Sequence, residues 1–142
     1  MSVETESKSK ILAVDPGDAR IGIAVSDQSA KLARPLCILT HVSRPENAAR
    51  IAALADEEGC RLIIVGTPYD SEGEVGPRAR ASLKLIQAIR GVSQIEVIAW
   101  DESHSSQKAE QAQLLSGVSR KKRSQPKDDL AAAILLQDYL DQ

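Results

Sequence analysis

"ILAVDPGDARIGIAVSD", residues 11–27, holds two apolar runs separated by a short break. The first run ends on Asp15, Pro16-Gly17 follows at once, and the second run opens at Ile21. A short, continuous stretch of aliphatic residues reads as a strand buried on both faces. In the second run Ile21, Ile23 and Val25 alternate with smaller residues. The join favours an antiparallel hairpin, because a parallel crossover needs a dozen or more residues. A carboxylate therefore sits at the tip of a buried strand, beside a sharp turn.

Working outward, "LARPLCILT" (residues 32–40) is a third extended run, with Pro35 near its start. The pattern then changes. "RPENAARIAALADEEG" (44–59) carries Pro and Glu in its first turn, places Ala49, Ile51 or Ala52, and Ala55 on one face, and is stopped by Gly59; it reads as a helix. "RLIIVG" (61–66) is a strand, "PRARASLKLIQAIRG" (77–91) a helix ended by Gly91, and "IEVIAWDE" (95–102) a strand. "SSQKAEQAQLLSG" (105–117) reads as a helix, and "KDDLAAAILLQDYLDQ" (127–142) as a terminal amphipathic helix. The order β-β-β-α-β-α-β-α-α implies an α/β chain with a mixed five-stranded sheet: three antiparallel strands, then β-α units, with helices on the faces. That order is the one found in the ribonuclease H-like fold. Residues 1–9 are polar and charged and read as a disordered tail, leaving residues 10–142 as the domain.

Composition limits what such a domain does. The 142 residues suffice for one domain with a proper core. Phe is absent and aromatic residues make up only 2% of the chain, so stacking on bases is disfavoured as a binding mode. A net charge of −2 argues against a protein coated in positive charge, while leaving room for a local basic patch. Cys37 and Cys60 lack metal-ligand or redox spacing and read as small buried hydrophobes in a reducing compartment. No stretch reaches the length of a membrane span. The expectation is a cytoplasmic protein with no membrane partner.

"DPGDARIGIAVSD" resembles the opening signature of the YqgF (RuvX) family, small ribonuclease H-like proteins related to Holliday-junction resolvases. "PLCIL", "IIVGTPYDSEGEVGPRA", "DESHSSQKAE" and "DDLAAAILLQDYL" are similar to its later segments and occur in the same order, covering roughly residues 10 to 141. The chain departs from the family pattern in three places. Ser103 stands where Arg usually follows Asp-Glu, Tyr69-Asp70 replace an Asn-containing segment, and Pro16 takes a place commonly aromatic or aliphatic. The resemblance implies a nuclease that matures the 5′ end of the small-subunit rRNA precursor. Two alternatives remain: a Holliday-junction resolvase acting on branched DNA, and a catalytically weak nucleic-acid or ribosome-binding factor. Sugar kinases and actin-like ATPases open with a similar phosphate loop, but they need two domains, and this length supplies one.

The chemistry rests on carboxylates. Asp15 ends the first strand, Glu102 ends the last, and Asp128 opens the final helix, ahead of Ala131 and Ala132. If the first and last strands are neighbours, their acids emerge at one edge. Three acids meeting there form an anionic site that requires cations. Mg2+ (or Mn2+) suits such an oxygen donor set, and a pair of ions activates water and stabilises the leaving oxygen of a phosphodiester. Asp128 is preferred because it keeps the family spacing to Ala131-Ala132, and Asp129 competes with it. Each acid also has a plainer reading, Asp15 as a turn residue and Glu102 and Asp128 as helix caps.

Gly17 serves either a close approach by phosphate or an ordinary hairpin. Arg20 either contacts phosphate or pairs with a surface acid. Asp27 reads as a turn residue. "SRKKRSQPK" (119–127) packs five basic residues next to Asp128. Lys121, Lys122 and Arg123 are either a solvated loop or phosphate contacts. The implied partner is structured RNA (pre-rRNA) or branched DNA, with the ribosomal small subunit as a further candidate, and the chain acts as a monomer or a homodimer.

Overall fold

The computed structural model describes residues 9–69, 72–102 and 128–142. The opening hairpin pairs β1 (Lys10–Pro16) with β2 (Arg20–Ser26) antiparallel, setting Leu12 opposite Val25 and Asp15 opposite Gly22. Its turn demands glycine at position 17, where a Cβ would lie 2.5 Å from the Arg20 carbonyl oxygen. β3 (Ala33–Thr40) adds antiparallel to β2, with a register shift between Ile23 and Ala24. The β2–β3 loop is organised by Asp27, whose carboxylate accepts from Lys31 N (2.8 Å), Leu32 N (3.2 Å) and the Ser29 hydroxyl (2.7 Å). The turn reading of Asp27 therefore holds.

α1 (Arg44–Glu58) starts on Ser43, whose hydroxyl accepts from Glu46 N, and ends on Gly59 in the left-handed region at φ 71°. Its buried stripe is Asn47, Ala48, Ile51, Ala52 and Ala55. Ala48 thus takes the place expected of Ala49, because it stands three and four residues before Ile51 and Ala52 on the same helix face. β4 (Cys60–Thr67) follows, then α2 (Pro77–Val92) and β5 (Glu96–Asp101). Gly91 does not end α2; the helix runs through it and stops before Ser93. A glycine just inside the last turn costs little when the chain leaves extended one residue later. The last described element is α3 (Asp128–Leu140). The expected helix at 105–117 lies outside the described residues.

The sheet order is β3-β2-β1-β4-β5, with β1, β4 and β5 parallel. Strand alternation divides the core in two. Leu12, Val14, Ile21, Ile23, Ile63, Val65 and Val97 pack beneath α1 and α2, around Ile51, Leu85, Ile86 and Ile89. Ile11, Ala13, Ala24, Leu62 and Ile64 face α3 through Ala132, Ala133, Leu135 and Leu136. Burying each leucine there contributes about 1.5–3 kcal/mol. Polar contacts then fix the position of α3. Gln137 accepts from Ala33 N (2.9 Å) and donates to the Lys31 carbonyl (3.0 Å), while Trp100 donates to Asp138 (3.1 Å) and meets Tyr139 edge-on. α3 is less amphipathic than expected, because residues on several of its sides are wholly or partly buried.

Both cysteines are free, and burial pushes the Cys60 thiol up to about 12, which keeps it inert. No helix among the described residues is long and apolar enough to cross a membrane.

Candidate active site

The parallel strands β1, β4 and β5 all end at the same edge of the sheet, and ligands of open α/β sheets bind outside such carboxyl ends. Asp15 continues the alternation of Ile11 and Ala13, which puts it on the face that α3 covers. Glu102 continues that of Ile98 and Trp100 and reaches the same face just past the end of β5. Its backbone N–H donates to the Thr67 carbonyl (3.2 Å), tying it to the end of β4. The two acids do not come from neighbouring strands, because β4 lies between them. Two strand spacings of about 4.8 Å separate their backbones.

Gly66 closes that gap. It belongs to β4, opposite Trp100 of β5 and one residue past the Val14–Val65 pair. A Cβ on Gly66 would stand 2.5 Å from Glu102 Oε2 and 2.5 Å from Leu135 Cδ1. The Glu102 carboxylate therefore lies across the bare backbone of Gly66, roofed by Leu135 of α3. Sequence reasoning did not select Gly66. Its signal was a glycine ending an otherwise branched, buried strand, a pattern that marks close approach by another group.

Glu102 Oε2 is buried and has no hydrogen-bond partner among the described residues. Burial pushes the Glu102 carboxyl above the usual carboxylate range; the Arg78 guanidinium pulls it back down and Asp101 pushes it further up. A buried carboxylate oxygen without a donor is costly unless a cation meets it. Oxygen donors of this kind suit a hard divalent ion, so the residues present fit one. Among the described residues no group of three His, Cys, Asp or Glu side chains stands close enough to hold a metal. The backbone of Asp128 opens α3, while the side chains of Asp128 and Asp129 lie outside the described residues. So do Lys121, Lys122 and Arg123, and Ser103.

Arg20 opens β2 on the Asp15 face, two positions nearer the edge than the Asp15–Gly22 pair, and is exposed. Gly17 is exposed in the turn beside it. Arg78, in the first turn of α2, supplies a cation within electrostatic reach of Glu102. It too escaped the sequence reading, since nothing local ties residue 78 to residue 102.

This mixed five-stranded sheet, with helices on both faces, is the ribonuclease H-like fold. Its likeness to solved structures is one of fold. Thermus thermophilus RuvC in complex with a Holliday junction substrate superposes with TM-score 0.54 at 16% identity, covering 92% of each chain. The fowlpox virus Holliday junction resolvase does so with TM-score 0.54 at 18% identity, over 93% of this chain and 98% of that one. The RuvX family model, described as Holliday junction resolvase, matches residues 9–142, and the chain belongs to that family. A Chloroflexus aggregans relative is 42% identical over 132 residues, 92% of each chain. One from Geobacillus kaustophilus is 38% identical over 134 residues, covering 93% of this chain and 97% of its own. Both carry the name "Putative pre-16S rRNA nuclease".

Proposed function

We propose that this chain is a magnesium-dependent, cytoplasmic endonuclease that processes the 5′ end of the 16S rRNA precursor, in which Asp15, Glu102 and Asp128 hold the metal. The observation that carries the reading is Glu102 Oε2, buried and unpartnered among the described residues, laid over Gly66 on the face that Asp15 shares. The names of the relatives support the substrate, and small-subunit precursors are the assembly in which it is met.

Magnesium, or manganese in its place, would activate water and stabilise the leaving oxygen of the phosphodiester. The chain's own residues do the rest. Asp15 is paired with Gly22 of β2 and directly follows Val14, which pairs with Val65 of β4, so its carboxylate starts from a rigid strand. Leu135 of α3 and the Glu102 carboxylate meet over the bare backbone of Gly66, which fixes where the carboxylate can lie. Arg78 offsets part of the negative charge at the edge. Arg20 and the Gly17 turn offer a cation and an open backbone to the phosphates, and Lys121, Lys122 and Arg123 extend that contact along the strand.

The test is cleavage of a labelled rRNA precursor and of a four-way DNA junction, each with magnesium or manganese, beside thermal melting. Site-selective cutting of the precursor by the wild type, lost in an Asp15→Asn protein that melts normally, is the expected result. Cutting of the junction alone would make the chain a resolvase. Full activity in Asp15→Asn would sink the metal assignment.

A further inference from the structure

On the opposite face of the sheet, at the same edge, a cavity of about 380 Å³ opens between the starts of α1 and α2. Its volume falls in the range of about 300–1,000 Å³ typical of small-ligand sites. Ile21 and Leu85 form an apolar floor with Pro16, Pro45 and Pro68, while Arg44, Arg78 and His41 line it with cations and donors. Asp18 is the acid among the lining residues. Neither Arg44 nor Arg78 makes an ion pair within hydrogen-bonding range of a described residue.

The two helix starts differ. α1 is satisfied by the Ser43 cap and by Glu46 in its first turn. α2 begins on Gly76, which offers no side chain, and has no acid in its first turn; Arg78 and Arg80 stand there instead. The positive end of a 16-residue helix with two guanidiniums added favours an anion. A separate observation points the same way. Ser82, on the cavity-lining side of α2, is only 3% exposed, and its hydroxyl makes no hydrogen bond with a described residue. Opposite it, Asn47 Oδ1 accepts from Val42 N (3.1 Å), so its amide nitrogen donates to His41 Nδ1 (2.9 Å). That leaves His41 Nε2 as the ring's N–H donor.

We propose that this cavity binds a nucleotide, its phosphate held by the α2 N-terminus, Arg44, Arg78 and the Ser82 hydroxyl, its ring lying on the apolar floor. A walled pocket of this size admits a chain end or a free mononucleotide and does not admit a continuous duplex. The choice of a nucleotide over another phosphate ester rests on the nuclease reading; the phosphate subsite itself does not. A nuclease creates strand ends, and a pocket across the sheet edge from the acids is placed to hold one.

The test is equilibrium binding to the full chain in chelator, where no cleavage takes place. The probes are AMP, adenosine, inorganic phosphate, and a short oligoribonucleotide with either a 5′-phosphate or a 5′-hydroxyl. AMP should bind at least about tenfold more tightly than adenosine, and Arg44→Gln/Arg78→Gln should remove that advantage. Ser82→Ala, a small change inside a helix, should weaken AMP severalfold with an unshifted melting temperature, and it serves if the double variant fails to fold. Tighter binding of the 5′-phosphorylated oligonucleotide than of AMP assigns the pocket to strand ends; the reverse assigns it to free nucleotide. Equal affinity for AMP and adenosine, or unchanged AMP binding in both variants, overturns the proposal. A protein that binds AMP yet cuts no precursor would refute the nuclease assignment and leave the phosphate subsite standing.

Discussion

Gly66→Ala separates the site from the fold. The added methyl would stand 2.5 Å from both Glu102 Oε2 and Leu135 Cδ1, where carbon contacts prefer about 3.5–4.0 Å. Each neighbour must retreat by roughly 1 Å. Both are side-chain ends, so the backbone is spared and the cost is that of moderate overpacking, about 1–3 kcal/mol. Alanine recovers about 0.5–1 kcal/mol by holding an extended backbone better than glycine. The net loss of about 1–2 kcal/mol lowers Tm by roughly 3–8 °C in a chain of this size. Activity suffers far more, because a reacting group misplaced by about 1 Å costs on the order of 100-fold in rate. Ile51→Ala, on the opposite face of the sheet, is the contrasting control. It removes a fully buried side chain and costs about 2–5 kcal/mol, but leaves Glu102 over Gly66, so cleavage well below its Tm should persist. Precursor cleavage and melting are measured on both variants. A Gly66→Ala protein that cuts at the wild-type rate would show that the carboxylate does not work from the position it occupies here.

Replacing Lys121, Lys122 and Arg123 with Gln should weaken nucleic-acid binding and flatten its salt dependence by about 0.7–0.9 log units per lost phosphate contact; an unchanged slope would leave the run a solvated loop. Millimolar magnesium against a site of similar affinity should stabilise the wild type by less than about 1 kcal/mol and Asp15→Asn/Asp128→Asn not at all, read as Tm at constant ionic strength; equal shifts would mean that these acids form no common site. Asp27 is held down from 3.8 to about 2, chiefly by the Ser29 hydroxyl and then by the Lys31 and Leu32 N–H groups. Its folded pKa lies below its unfolded one, so its stabilising effect is complete above pH 3.8 and lost as pH falls toward about 2. The Tm gap between wild type and Asp27→Asn should close across that window; a gap that stays constant would disprove the linkage.

The local signals were legible in the sequence. The Asp15-Pro16-Gly17 break set the hairpin, Gly59 set the end of α1, and the short joins set strand direction. Readings failed where the outcome depends on more than one segment. Which alanines of α1 face inward follows from how the helix packs on the sheet, and Gly91 is tolerated because it lies exposed in the last turn of α2. β4 separates the strands of Asp15 and Glu102, so the role of Gly66 exists only once three strands are side by side. The pocket between α1 and α2 needs the hairpin turn and two helix starts together, and no spacing within the chain announces it.

The attachment of α3 has a consequence for the order in which the protein is made. Gln137 grips the β2–β3 loop more than a hundred positions earlier in the chain, and Leu135 and Leu136 cap a face that includes Ile11, Leu62 and Ile64. A nascent chain emerges N-terminus first, and its earlier elements begin to fold before later ones appear. Until α3 leaves the ribosome, one side of the sheet stays greasy and open, Glu102 has no roof, and Asp128 is not in place. If Asp15, Glu102 and Asp128 hold the metal as proposed, a nuclease assembled this way stays harmless to the RNA around it during its own synthesis, and arms itself only on docking the helix that synthesis supplies after all five strands.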